Sequence, residues 1–256
     1  MDLERNKKTY SSEKVVRLYY SLKDSLQKSE KKILDLLKDE LARMKMLDVG
    51  VGGGRTTRYL APLVKDYVGI DYAEELTEIC RKKFPANKFL TVDVRNMSVF
   101  SEKEFDFILF SFNGLDYMPH ADRMAALQQI KRVLSPGGYF CFSTHNIRLI
   151  STWGRLEFSI SPIVLIQNII KYYKRRSINK LTVEKINETA QADHAILNDG
   201  AHYWQLETYY VQIAYQIKIL EEIGYKNIRV FDLNGDQLDQ EDVKKNKDPW
   251  LYYLCS

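Results

Sequence analysis

Leu47-Asp48-Val49-Gly50-Val51-Gly52-Gly53-Gly54 is the stretch whose reading decides the fold. Met46 to Val49 reads as a short strand, and Thr56 to Val64, beyond the glycines, reads as a helix. Glycines at such a joint let the backbone turn tightly and approach a ligand with no Cβ in the way. The helix that follows offers unpaired N–H groups at its start. In open α/β sheets, ligands sit in this crevice at the carboxyl ends of the strands. A dinucleotide site needs G-x-G-x-x-G; counted from Gly50, the last glycine position falls on Arg55, and that pattern fails. What stands is D-x-G-x-G-x-G, led by Asp48.

Outward from the glycines, short apolar runs alternate with helical segments. Tyr67 to Ile70 reads as a second strand with Ala73 to Lys83 as its helix, Phe89 to Val92 as a third strand, and Phe105 to Phe110 as a fourth. Ala121 to Leu134 is an amphipathic helix, closed by Ser135-Pro136-Gly137-Gly138 and followed by the strand Tyr139 to Ser143. This alternation predicts a Rossmann-like, mostly parallel sheet with helices on both faces. Upstream, Val15, Tyr19, Leu22, Leu26, Ile33, Leu37 and Leu41 recur at helical spacing, with Glu30 interrupting the stripe and Ser29 placed to cap a second helix. Between Asn146 and about Glu207 the alternation stops, apart from a hairpin signal at Asn198-Asp199-Gly200. A helix from about Thr208 to Glu222 follows, then the strands Asn227 to Phe231 and Trp250 to Cys255 across a polar loop. The chain divides into an N-terminal helical lid (1–44), a cofactor-binding core (45–146), a cap insertion (147–207), and a C-terminal helix with the last two strands (208–256).

The bulk properties narrow the class. Of 256 residues, 45% are hydrophobic and 28% charged, a globular balance, and a net charge of +4 is too mild for a dedicated polyanion binder. Cys80, Cys141 and Cys255 show no metal-ligand spacing and read as reduced thiols, so no metal is expected. The charged start, Met1 to Lys8, has no signal-peptide core, and no apolar run approaches the roughly 20 residues of a membrane span. The expectation is a cytoplasmic protein without stable membrane insertion, a monomer or homodimer, with no nucleic-acid partner.

With its D-x-G-x-G-x-G loop the chain resembles the class I S-adenosylmethionine-dependent methyltransferases, and further features fit that family in order and spacing. Asp71, with Tyr72 beside it, ends the second strand where an acid bonds a ribose. Thr91-Val92-Asp93-Val94 ends the third strand where the family contacts adenine. Ser111 to Asn113 follows the fourth strand on the cofactor side, and Leu134-Ser135-Pro136-Gly137-Gly138-Tyr139 matches the family's turn into the fifth. The resemblance implies a seven-stranded sheet with its last strand antiparallel, S-adenosyl-L-methionine as cofactor, and S-adenosyl-L-homocysteine as product. The cofactor residues it implies are Asp48, Gly50, Gly52, Gly54, Asp71, Tyr72, Asp93, Val94, Ser111 and Asn113.

On the acceptor side, relatives carry Leu-Glu-His-Val-Pro after the fourth strand, where this chain has Leu115-Asp116-Tyr117-Met118-Pro119. Asp116 takes the acid's place and Tyr117 replaces the histidine. His145, in Ser143-Thr144-His145-Asn146 at the end of the fifth strand, is the first candidate for a base; its alternative is a strand-end cap. His202 and Trp204 in the insertion, and Tyr19 and Tyr20 on the N-terminal helix, are candidates for the acceptor pocket, with ordinary packing as the alternative. Trp153, Phe158, Tyr172, Tyr173 and Tyr203 form either a pocket or the insertion's own core, while His120 and His194 read as solvent-facing. Ser161 to Arg176, apolar and basic by turns, has an interfacial helix as a second reading. Three functions stand: a methyltransferase of a small organic acceptor (a sugar or secondary metabolite, on N or O), one acting on protein or tRNA, and a non-catalytic cofactor-binding subunit.

Overall fold

The computed structural model describes residues 3–12, 15 and 25–256. The order is α1 (Leu3–Tyr10), α2 (Lys28–Leu41), β1 (Lys45–Val49), α3 (Thr57–Leu60), β2 (Asp66–Asp71), α4 (Glu74–Lys83), β3 (Lys88–Thr91), β4 (Phe105–Phe110), α5 (His120–Val133) and β5 (Leu134–Asn146). Then come α6 (Pro162–Ile178), α7 (Val183–Thr189), β6 (His194–Leu197), β7 (Thr208–Val211), α8 (Ile213–Ile223), β8 (Arg229–Phe231), α9 (Gln240–Lys245) and β9 (Trp250–Cys255).

Strand order explains where ligands can bind. β3-β2-β1-β4-β5 run parallel, and β9 pairs antiparallel with β5 and with β8. These seven are the predicted sheet. Chain order reverses beside β1 and β4, which opens a crevice over their carboxyl ends. Side chains alternate across the sheet as the pleat requires. Leu47, Val49, Ile108 and Phe110 pack with Ala126, Leu127, Ile130 and Val133 of α5 and with Ile219 and Leu220 of α8. Met46, Phe107 and Leu109 pack on the other face with Ile33, Leu34, Leu37 and Leu41 of α2. Each fully buried aliphatic or aromatic side chain contributes about 1.5–3 kcal/mol, so both helical layers are held mainly by this burial.

Four expectations need correction. Thr208–Val211 is a strand, and the helix begins at Ile213. A four-residue run of β-branched and aromatic side chains pairs antiparallel with β6, and the resulting hairpin joins β5 only at His145 and Asn146. The Ser135–Gly138 turn is absorbed into β5, with a register shift between Phe105 and Phe107 on the neighbouring strand. Ser29 does not cap α2; Gln27 takes that place, donating its backbone N–H to Glu30 at 2.6 Å, while Ser29 Oγ donates to the Asp232 carbonyl. His120 and His194 are half-buried rather than solvent-facing, stacked on each other at 4.6 Å and on Tyr209 and Tyr215.

Candidate functional site

The glycine loop is built to leave β1 sharply. Gly50, Gly52 and Gly54 have φ of +62°, +55° and +81°, the left-handed region that side chains disfavour. A Cβ on Gly50 would also lie 2.7 Å from the Phe110 ring. Asp48, buried behind the loop, accepts hydrogen bonds from Thr56 Oγ1 at 2.5 Å and Tyr67 Oη at 2.6 Å, tying loop, helix start and β2 together. Asp71 braces the loop from the next strand, accepting from the Gly52 N–H and the Ala73 N–H, both at 3.0 Å. Burial pushes the carboxyls of Asp48 and Asp71 up to about 6, despite these donors.

Over the loop lies a cavity of about 370 Å³. Asp48, Gly50, Gly52, Asp71, Tyr72, Asp93, Val94, Ser111 and Tyr117 all line it. Gly54 lies beneath, against Phe84 and Cys80. α1 closes one side: Asn6 Nδ2 donates to the Tyr117 carbonyl at 2.6 Å, and Tyr10 packs edge-on against Tyr72, Tyr117 and His202. Tyr19 and Tyr20 lie outside the described residues; Asn6 and Tyr10 are the described side chains of α1 that line the cavity. Sequence reasoning missed both.

Arg55 and Arg95 complete this wall, each held by carboxylates. Glu30 is buried and holds Arg55 by two hydrogen bonds, 2.8 and 2.6 Å, while also accepting from Ser111 Oγ. This explains the acid in the apolar stripe of α2: it latches the helix to the glycine loop and to the end of β4. Arg95 grips Asp93 through Nε and Nη2 and reaches Asp122 at 2.9 Å, so Asp93 faces the cavity already paired. Phe112 and Asn113 have φ of 57° and 61°, two successive left-handed residues at the turn after β4.

Asp116, His145 and Arg123 form a second unit. Asp116 and Arg123 are fully buried and paired at 2.6 Å, and Thr144 Oγ1 donates to the same carboxylate oxygen. The other oxygen receives the His145 backbone N–H and faces its Nδ1, both at 2.7 Å. With the proton on Nδ1, the ring presents Nε2 as an acceptor. Nε2 faces Asn113 Nδ2 at 3.4 Å, and Asn113 Oδ1 is buried with no hydrogen-bond partner. Arg123 escaped sequence reasoning, although it stands four residues before Leu127 on the buried stripe of α5.

His145 does not line the first cavity. It lines a second one of about 530 Å³, over the ends of β5, β7 and β9. Trp153 and Trp204 line it too, and Trp153 also belongs to the insertion's apolar cluster, whereas Phe158, Tyr173 and Tyr203 are exposed and fit neither reading. His202, Tyr203 and Trp204 are all left-handed (φ 47°, 62° and 69°). This turn sets His202 against Tyr10 and Tyr117 of the first cavity and Trp204 in the second. Among the described residues no cluster suits a metal ion, and no helix is long and apolar enough to cross a membrane.

The sheet order, the glycine loop and the acid-lined crevice define the fold of the class I S-adenosylmethionine-dependent methyltransferases, and residues 46–138 match the family described as methyltransferase domain. The chain is 32% identical over 111 residues to the ubiquinone biosynthesis O-methyltransferase of Actinobacillus pleuropneumoniae, covering 40% of this chain and 46% of that one. It is 28% identical over 141 residues to the fatty-acid O-methyltransferase of Mycolicibacterium smegmatis, covering 53% and 50%. The match thus spans half or less of these curated relatives. A solved S-adenosylmethionine-dependent methyltransferase from Clostridium acetobutylicum superposes with a TM-score of 0.62 at 17% identity, over 95% of this chain and 97% of that one.

Proposed function

We propose that the chain is a methyltransferase that takes S-adenosylmethionine in the first cavity and methylates N or O of a small organic acceptor. The carrying observation is Asp71: a buried carboxylate at the end of β2, facing a cavity of about 370 Å³, whose backbone hydrogen bonds do not offset the cost of its burial. Ribose hydroxyls are the donors that such a group lacks. The loop backbone from Gly50 to Gly53 and the Asp93–Val94 edge would hold the rest of the cofactor.

When bound, the cofactor supplies an electrophilic methyl group on a sulfonium. The protein's share is then to align the acceptor, worth about 7–11 kcal/mol in well-oriented cases, and to remove a proton where the acceptor is a hydroxyl. His145 Nε2 is the proton acceptor in this reading. Asp116 acts through it, fixing the ring's tautomer and orientation. Two relatives are named O-methyltransferases, which supports oxygen and a small acceptor over a macromolecule.

Calorimetric titration with S-adenosylhomocysteine tests the reading, with a nicotinamide dinucleotide as control. Micromolar binding of the first alone is the expected result. Binding of neither would leave a methyltransferase fold without its cofactor and sink the proposal.

A further inference from the structure

The second cavity has a chemistry of its own. Its walls include Trp153, Trp204 and Trp250, and the chain has three tryptophans in all. Lys171 and Arg175 enter from α6, a helix of 17 residues with four cations and no acid. The Arg175 guanidinium lies over the Trp153 ring, 4.1 Å from its centroid, and its Nε is buried with no hydrogen-bond partner. Among the described residues, no carboxylate lies within ion-pair distance of it. The one acid in the lining is already engaged: Asp199 accepts from Tyr210 Oη at 2.7 Å and from the Ala201 N–H at 2.8 Å. Trp250 Nε1 is a second buried donor without an acceptor.

Such a wall is short of negative charge and rich in ring faces. Burial lowers the pKa of Arg175, and the more distant Tyr210, Asp199 and Glu157 offset that only in part. Aromatic faces and a guanidinium fork together suit a flat anion, because the fork bonds carboxylate or phosphate in its plane while the rings cover the body. The wall also has direction. From His145 it runs to Tyr210 at 5.2 Å between ring centroids, then to Trp153 at 5.7 Å, and so to Arg175. One end offers a proton acceptor and the other a cation. The volume, about 530 Å³, falls within the 300–1,000 Å³ usual for small-ligand sites.

We propose that this cavity holds the methyl acceptor, an aromatic acid whose anionic group rests on Arg175 and Lys171 while its hydroxyl or amine faces His145. The inference rests on the methyltransferase reading for the word acceptor, but the binding claim can be tested apart from it. Arg175 sets specificity here and takes no part in methyl transfer.

All three tryptophans report on the site, so the test is tryptophan emission of the full chain, with and without saturating S-adenosylhomocysteine. The probes are 4-hydroxyphenylacetate, phenyl phosphate, and the neutral 2-(4-hydroxyphenyl)ethanol. Expected is a saturable change with an acid, at least tenfold weaker with the alcohol, and loss of that preference in Arg175→Gln with S-adenosylhomocysteine affinity unchanged. Carboxylate and phosphate probes decide which anion the site takes. Should Arg175→Gln fail to fold, Lys171→Gln on the exposed side of α6 is expected to narrow the same preference. Equal response to acid and alcohol, no saturable response to either acid, or an unaltered preference in both variants would overturn the inference. Failure to bind S-adenosylhomocysteine with acid binding intact would instead strike the methyltransferase reading alone.

Discussion

Asp116 has no exposed surface, yet four protein groups converge on its two oxygens: Arg123, Thr144 and two nitrogens of His145. A carboxylate so fully engaged is placed as a positioning residue. His145, in contrast, keeps Nε2 towards Asn113 and its ring in the second cavity. His145→Ala is therefore expected to lower turnover by about 10²–10⁴-fold for a hydroxyl acceptor while S-adenosylhomocysteine affinity changes less than twofold. Steady-state kinetics and calorimetry on the same variant check this. Full activity would reduce His145 to the strand-end cap that was its alternative reading.

At the scale of elements, the Glu30–Arg55 pair joins α2 to the end of the glycine loop. Its side chains are only 2% and 15% exposed. Removing one partner leaves a buried charge uncompensated, at a cost of about 3–5 kcal/mol. Glu30→Ala is expected to lose about that much in urea unfolding, and Arg55→Met with Glu30→Gln together much less. Equal losses in the single and double variants would mean that the pair holds nothing. The same element shows what was legible in the sequence. The glycine loop and the β1–β5 alternation announce themselves because each is a local pattern, a period or a turn residue at a strand end, whereas the antiparallel direction of β9 came only from the family resemblance. Glu30 and Arg123 announce themselves more faintly, as charges standing on apolar stripes, and their partners come from sixty or more positions away or from another element altogether: Ser111 and Tyr252 for one, Gln216 for the other. The β6–β7 hairpin was signalled at Asn198-Asp199-Gly200, directly after β6, but its second strand was hidden. Thr208–Val211 is four residues long and runs almost directly into α8, whose period extends backwards over it. Of the second cavity, the sequence named His145, Trp153 and Trp204 as candidates, while Trp250 and Arg175, on segments far apart in the chain, carried no signal.

Across the whole molecule, two carboxyls behind the glycine loop couple stability and cofactor binding to pH. Burial raises Asp48 and Asp71 to about 6, against about 3.9 for an unfolded aspartate. Between those values the folded chain holds more protons than the unfolded one, so stability falls as pH rises from about 4 to about 6, then levels off. The two acids differ in what else they report. Asp48 also lines the cavity, but Thr56 and Tyr67 already donate to it, so its proton reports on stability first. Asp71 faces the cavity, and donors from a ribose would favour its charged form, so cofactor binding below pH 6 would expel a proton. For a group near 6, S-adenosylhomocysteine affinity is expected to rise about tenfold from pH 5 to pH 7 and then flatten. His202, lowered by burial from 6.5, also titrates beside this wall, so the variant that isolates the carboxylate is Asp71→Asn. It keeps an acceptor oxygen for the loop but has no proton to release. Calorimetry is expected to show its affinity at least tenfold weaker at pH 7 and nearly level across the range. A slope that survives in Asp71→Asn would move the proton to His202 and remove Asp71 from the ribose site.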